Sequence, residues 1–549
     1  MRDRVIVGVS SVLVLAFVIV AGLDAVAFPY HEWDALSFGT WSRLIAEHHH
    51  LDFPRDDTAS DYQRPLLYVI QGVLWAVFGF SERLGRVVDL LFGIAMIVSV
   101  FELGRRLRGV ACGAICATLM LLVPAAQQGF TSGLTDVPVA ATVGLAGVAA
   151  FAEAPILLAF AGCAALLTKS SALPALAGLA VACALSARGE RRAKALKLIA
   201  ALGAGVLVAL AYDLVQASKL HMGLTEYLRA GSDGYYASLA AAARRSAILD
   251  VGWLGEFLRI LVIAALAYAL ARVARASHRR AGLIAVVVSA ALSYLGPLLA
   301  THFDSGRVGP LASWHHALGA VTLLFALAAL TFPVSSAPPS RELLGQLLVW
   351  GLPPLVVWAS FATYDLRLLS PAWPALVVLC GVVLHTAFES ARGRLAVVAL
   401  PAAVAIAITA AAGLEYIDGI TPNGWKSLQQ SSAGFFNLEA NRHIVIPVFS
   451  DVLTAVQPIM TGNAQMVTSD GMFDFFFPGR VRQIYPRSCA DLRGYRVFVF
   501  LDDPESIAYM QSQNLPSSVS YWSACVKPKL TLVTQVDTLT AFRVGPTGP

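Results

Sequence analysis

The amino-acid sequence predicts an α-helical polytopic membrane protein of about thirteen transmembrane helices, followed by a soluble C-terminal α/β domain. Three observations predict it. The 549 residues are 57% hydrophobic and only 14% charged, with a mean hydropathy of +0.67, which is more apolar surface than a water-soluble chain can hide. Apolar runs approaching the length of a bilayer crossing recur as far as residue 414. Composition then changes: no Asn precedes Asn423, whereas Asn437, Asn441, Asn463 and Asn514 follow it. The predicted units are therefore a membrane domain over 1–414 and an accessory domain over 415–549.

The first element, MRDRVIVGVSSVLVLAFVIVAGLDAVAF, has the basic start of a signal peptide. Its apolar run is too long for a signal-peptide core, so it reads as a retained signal-anchor helix. Thirteen runs follow the same logic, at 5–28, 87–103, 110–124, 136–152, 154–168, 171–187, 195–215, 253–272, 281–300, 314–332, 342–361, 368–388 and 395–414. One more, PLLYVIQGVLWAVFGF at 65–80, is only about 24 Å long at 1.5 Å per residue. If 65–80 does not cross, Arg2 and Arg4, GRRLRG (104–109), RGERRAK (188–194), RVARASHRR (272–280) and ESARGR (389–394) all face one side. That is the cytoplasmic side by the positive-inside rule, and 65–80 becomes an interfacial or re-entrant helix. The net charge of +5 resides largely in these loops, which excludes a nucleic-acid-binding face.

An odd number of crossings from a cytoplasmic start puts 415–549 outside. Cys489 and Cys525, alone in that domain, would there suit one disulfide. The other five cysteines lie in apolar runs, as small buried hydrophobes. The domain reads as α/β, with strands near QMVTSD, VRQIYP, RVFVFLDD and LTLVTQVDTLTAFRV and no Gly-rich phosphate loop. The Ala-rich composition with an outside tail points to a bacterial inner membrane, the C-terminal domain being periplasmic.

Two long external loops result, 29–86 and 216–252. In the first, Trp33, Leu36, Trp41, Leu44 and Ile45 recur at helical spacing, with Asp34, Ser37 and Glu47 opposite. This predicts an amphipathic helix lying in the interface, with its Trp rings at headgroup depth. His48-His49-His50 closes it as a solvated face. The second loop, with a Gly-Ser-Asp-Gly break, has the length of a cover over a site.

Few other charges are predicted at this outer level. They are Arg64, Arg86, Asp136 and Lys169, then His302, Asp304, Arg307, His315 and His316, and finally Asp365 and Arg367. Ionisable groups at the mouths of apolar spans are costly unless paired or used. Acids and cations gathered at one membrane-level cavity suit a reaction on an anionic lipid. The bland alternatives are N-capping carboxylates for Asp34 and Asp136, and snorkelling anchors for Lys169 and Arg367.

The order of these motifs resembles the GT-C membrane glycosyltransferases, in the branch of the protein O-mannosyltransferases and the lipid A aminoarabinose transferase. EWD (32–34) is similar to the acidic residue after their first span. QRPLLY (63–68) is similar to their basic-Pro-Pro-Leu stretch, with Leu66 for the second Pro. GRVVDLLFGIAMIVSVFELGRRLRG (85–109) matches their Arg-led span with a basic turn, and LTDVPVA (134–140) their Thr-Asp opening. TKSSALPAL resembles a Lys-Gly-Pro stretch with Ser170 and Ser171 for Gly-Pro. DLRLLSPAWPAL (365–376) resembles an Arg-Tyr-Leu-Leu-Pro stretch with Leu368 for Tyr.

The resemblance implies a GT-C-like fold and transfer of a sugar from a polyprenyl-phosphate donor to an extracytoplasmic lipid, glycan or protein, with inversion. It makes Asp34 the expected base, Glu32 its fallback, and Asp136 a second carboxylate that orients the acceptor or joins a metal site. Arg64, Arg367, Lys169 and Arg86 become the expected ligands of the donor phosphate. Tyr62, His302 and Asp304 become the expected acceptor pocket, the two latter also being candidates for a divalent cation. Competing readings are a secondary transporter, a structural or assembly membrane protein, and an O-antigen-ligase-like enzyme of lipid-linked oligosaccharides. Charges gathered at one face, with no repeat relating the halves, disfavour a transporter.

Overall fold

The computed structural model describes residues 2–27, 33–49, 64–123, 132–186, 191–219, 221–225, 339–361, 366–390, 452–468, 480–483, 494–501, 530–536 and 539–544, together with positions 126, 129, 130, 227, 265, 473, 476 and 477. Among the described residues, eleven α-helices are α1 (Arg2–Ala27), α2 (Trp33–His48), α3 (Leu66–Phe78), α4 (Glu82–Arg108), α5 (Val110–Leu121), α6 (Asp136–Phe151), α7 (Pro155–Thr168), α8 (Leu173–Leu185), α9 (Arg191–Lys219), α10 (Arg341–Phe361) and α11 (Trp373–Ser390). Nine of the thirteen predicted runs coincide with these helices. The runs at 253–272 (but for position 265), 281–300, 314–332 and 395–414 lie outside the described residues, as does the boundary near 415.

Four of the described helices are long and apolar enough to cross a bilayer, over Asp3–Leu23, Glu82–Arg108, Arg192–Lys219 and Leu369–Thr386. The chain is thus a polytopic helical membrane protein. In α1, Val5, Val9, Val12, Leu15, Ile19 and Leu23 are exposed along one face, while Ile6, Phe17, Ala21 and Ala25 are buried along another. A stripe of large apolar side chains turned outward is a liability in water and is the expected surface in lipid. Helix α4, one of these four, has local signals at both ends. The Ser81 hydroxyl accepts from Leu84 N–H, Glu82 lies in the first turn, and Arg105, Arg106 and Arg108 lie in the last. Each complements the helix macrodipole or its unpaired end groups.

The bundle has two distinct ends. At one, Arg108 pairs with Glu389 at 2.7 Å and Lys194 with Glu153 at 2.6 Å. At the other, Ala46, Trp75, Leu84 and Leu134 pack against Val452, Val456, Met460 and Phe477 from the C-terminal segment. Following the chain fixes where the polar residues fall. Helix α6 starts just after Leu134 at the second end and runs to Glu153 at the first; α9 starts beside Lys194 and returns. Asp213, near the C-terminal end of α9, is therefore at the second end, and its partner Arg64 with it. Trp75, within α3, and Arg64, just before its start, thus sit at the same end.

The C-terminal segment forms a five-stranded sheet of β1 (Met466–Thr468), β2 (Val481–Gln483), β3 (Val497–Leu501), β4 (Leu530–Val536) and β5 (Leu539–Val544), in the order β2-β1-β3-β5-β4. β1 is parallel to both β2 and β3, whereas β5 is antiparallel to β3 and β4. The predicted strand positions hold, with one difference. LTLVTQVDTLTAFRV is not one strand but a hairpin, because β4 and β5 pair with each other, Val536 opposite Leu539. Cys489 and Cys525 lie outside the described residues.

Helix α2 departs from its expected setting. Trp41 is 5% exposed and packs with Leu67, Tyr68 and Val88. The apolar face at Trp41 and Ile45 is buried on α3 and α4 within the protein, not laid on headgroups. The periodicity was a correct signal for an amphipathic helix, but periodicity alone does not say whether protein or lipid covers the face. Gly72 permits the approach: a Cβ there would lie 2.8 Å from Ile45 Cβ and 2.8 Å from the Ser42 carbonyl oxygen. Gly72→Ala is therefore expected to force α2 away from α3 and to destabilise the protein by about 1–3 kcal/mol. Thermal inactivation in detergent checks this, and an unchanged half-life at elevated temperature would refute it.

Candidate functional site

Three polar clusters occupy the sheet end of the bundle. The first is built on Asp136. Thr135 is the N-cap of α6 and makes no side-chain cap, so Asp136 is the first helical residue and its carboxylate is not spent on capping. Lys169 ends α7 in an extended conformation, φ −158° and ψ 131°, which turns the chain away from the helix axis. Its Nζ donates to Asp136 Oδ1 at 2.5 Å. Ser370 Oγ donates to the same oxygen at 3.2 Å. Ser370 belongs to the 3₁₀ turn Leu366–Ala372, which also carries Arg367. One carboxylate oxygen thus ties together the start of α6, the end of α7 and the turn before α11. Asp136 is 2% exposed and Ser370 fully buried, while the Lys169 side chain keeps 22% exposure. Lys169 is the member of this cluster that solvent or a ligand can reach. It is neither a snorkelling anchor nor a free cation.

The second cluster is Arg64 with Asp213. Arg64 stands just before α3, and its Nη1 donates to Asp213 Oδ1. Both are buried. Arg64 thus has a buried carboxylate partner that is not among the residues expected from the sequence. The available signal was an acid inside an apolar run, AYDLVQAS, which by itself marks a paired or functional group.

The third cluster centres on Asp89, also absent from the expected set although it stands in the apolar run VVDLLFG. Asp89 is wholly buried one turn after Arg86, itself wholly buried. The Gln71 amide donates to Asp89 Oδ1 at 3.3 Å, and the Gly133 backbone N–H also donates to this carboxylate. Gln71 in turn accepts from Ser42 Oγ at 3.2 Å. The result is a chain of bonds from α2 through α3 and α4 to the approach of α6. Gly133 has φ +81°, which lets the backbone turn toward Asp89 just before Asp136. Buried polar networks of this kind fix relative positions of elements, because leaving any member unsatisfied is costly.

The remaining expected residues are placed only in part. Asp34 is the second residue of α2, about 12 Å along the helix axis from Ser42. It is not the N-cap of that helix. Arg367 lies in the turn that delivers Ser370 to Asp136. The side chains of Asp34 and Arg367, and Glu32, Tyr62, His302 and Asp304 altogether, lie outside the described residues. Among the described residues no three His, Cys, Asp or Glu side chains gather as a metal site.

This arrangement of long apolar helices, with buried acid–base pairs at the end that carries a sheet, is a fold shared with solved structures. Solved structures agree over the whole chain. The crystal structure of ArnT from Cupriavidus metallidurans bound to undecaprenyl phosphate superposes with a TM-score of 0.60 at 13% identity, covering 98% of this chain and 99% of that one. ArnT in the apo state gives a TM-score of 0.57 at the same identity and coverage. No protein-family model matches the sequence, and no curated protein matches it.

Proposed function

We propose that this chain is an integral membrane glycosyltransferase that moves a sugar from a polyprenyl-phosphate donor to an extracytoplasmic acceptor. One observation carries the reading: it shares its fold, end to end, with a protein whose crystal structure holds undecaprenyl phosphate. Cations at one end of the bundle, the buried Arg64 and Arg86 and the partly exposed Lys169, support it, because a lipid phosphate approaching that end needs them.

In the proposed reaction the acceptor oxygen forms a bond to the anomeric carbon as the bond from that carbon to the phosphate oxygen breaks. The departing electron pair stays on the phosphate, and attack from the opposite face inverts the anomeric centre. The acceptor proton passes to the Asp34 carboxylate, with Glu32 as the alternative base. Negative charge grows on the phosphate as the diester becomes a monoester. Preorganised Arg64, Arg367 and Lys169, with Arg86 deeper, stabilise that charge more than they stabilise the bound donor, which is what accelerates the step. Asp136, held by Lys169 and Ser370, orients the acceptor and sets how much of the Lys169 charge the phosphate feels. Tyr62, His302 and Asp304 complete the acceptor side. The sheet, periplasmic in this reading and set over α2 and α3, serves docking and stability.

The test is a cell-free assay with the full chain, labelled polyprenyl-phosphate sugars and extracytoplasmic lipid, glycan and protein fractions. Release of polyprenyl phosphate with label appearing in one fraction is expected. Arg64→Ala is expected to lower kcat/KM for the donor by about 10²-fold. Failure to release polyprenyl phosphate from any donor rules the proposal out.

A further inference from the structure

Arg64 and Asp213 are 149 residues apart in sequence and meet in a nearly dry setting. Arg64 is 7% exposed and Asp213 1%. An ion pair is an expensive way to join α9 to the start of α3, since both charges must leave water and their mutual attraction has to offset it. A well-packed apolar pair would hold the two segments as firmly, and the neighbouring helices are built of such pairs. The pair therefore calls for a reason other than adhesion.

A carboxylate and a phosphate oxygen satisfy the same guanidinium fork. We propose that Asp213 is an internal counter-ion: it holds Arg64 while the site is empty, yields it to the phosphate of the polyprenyl lipid, and takes it back on release. The inference rests on the reading of Arg64 as a phosphate ligand given above. Its consequence concerns product more than donor. The donor is a diester with one negative charge, whereas the spent carrier is a monoester bearing about −1.5 to −2 at neutral pH. Cations that stabilise the developing charge also favour retention of the spent lipid. A carboxylate competing for the same donors weakens that grip, and it does so without touching the reacting atoms. Asp213 is in this sense a positioning residue that governs turnover.

The experiment is a titration of the full-length protein in detergent with undecaprenyl phosphate, comparing wild type, Asp213→Asn, Arg64→Ala and the double variant. If the phosphate finds Arg64 available a tenth of the time, removing the competitor tightens binding about tenfold and slows dissociation correspondingly. In the Arg64→Ala background the same Asp213→Asn change is expected to be silent, because there is then no shared cation for carboxylate and phosphate to compete for. A merely structural Asp213 gives the opposite sign, with weaker binding after substitution. Equal or weaker binding by folded Asp213→Asn overturns the inference, as does tightening that persists without Arg64. Should Asp213→Asn not fold, a structure of the wild-type protein with undecaprenyl phosphate decides. Arg64 on the phosphate with Asp213 released supports the exchange, and Arg64 still bonded only to Asp213 refutes it. Wild-type protein that binds no undecaprenyl phosphate removes the glycosyl-transfer reading and this inference together, whereas normal wild-type binding with an unaltered Asp213→Asn removes this inference alone.

Discussion

Replacing Asp34 by Asn is expected to slow sugar transfer by about 10²–10⁴-fold, while binding of undecaprenyl phosphate stays within a few-fold of wild type. An acceptor hydroxyl is a poor nucleophile until its proton is taken, and the amide of Asn cannot take it. Donor binding depends on the cations and should feel the change little. The separation matters, because a substitution that merely disturbs α2 lowers both quantities. Single-turnover transfer and equilibrium lipid binding, measured on the same preparation, distinguish the two. Asp34→Glu is expected to restore part of the rate. If Asp34→Asn transfers normally and Glu32→Gln does not, the base is Glu32, one residue before the start of α2.

The second large effect is expected at Asp136 and Lys169. Either Asp136→Ala or Lys169→Met leaves a charge at the sheet end without its partner, at a cost of about 3–5 kcal/mol for a fully buried pair. Lys169 retains 22% exposure, so water relieves part of that penalty, and the lower end of the range applies to Asp136→Ala. The double variant Asp136→Ala/Lys169→Met is expected to be less destabilised than the sum of the single ones, by a coupling of about 0.5–3 kcal/mol. Inactivation temperatures of the four proteins in one detergent supply the cycle. Strict additivity would show that the contact contributes nothing. Transfer should fall in all three variants, since Ser370 also anchors to Asp136 and carries the Arg367 turn with it.

Much of the membrane architecture was legible because it rests on composition and charge, which any segment carries in itself. The nine runs that coincide with described helices were found by apolar length alone. That 65–80 stays at one side is an expectation from where the basic loops have to lie; the structure places Arg64 and Trp75 at one end of the bundle. Asp136 and Lys169 were legible as charges at span mouths, but their contact was not. Nothing local relates residues 33 positions apart across a helix pair. Asp89 and Asp213 were legible in principle, each being an acid in an apolar run, yet their cost is visible only when the run is taken as a span and every charge within it is asked for a partner. The burial of Trp41 was not legible. An amphipathic face specifies that something apolar covers it, and only tertiary packing decides between lipid and α3. The β4–β5 hairpin was hidden for a related reason: two strands in one long β-prone run give little local contrast.

The seating of the sheet on α2 and α3 has a practical corollary. Arg43 reaches up to donate to the Phe476 carbonyl at 3.3 Å and stacks over the Phe80 ring at 4.7 Å, while Trp75 inserts among Val452, Met460 and Phe473. Cutting the polypeptide ahead of residue 452 would strip the roof from this corner, wet a tryptophan that is now dry, and loosen the very helix that bears Asp34. Truncated versions made for expression trials should thus aggregate or lose activity, even though every span is retained.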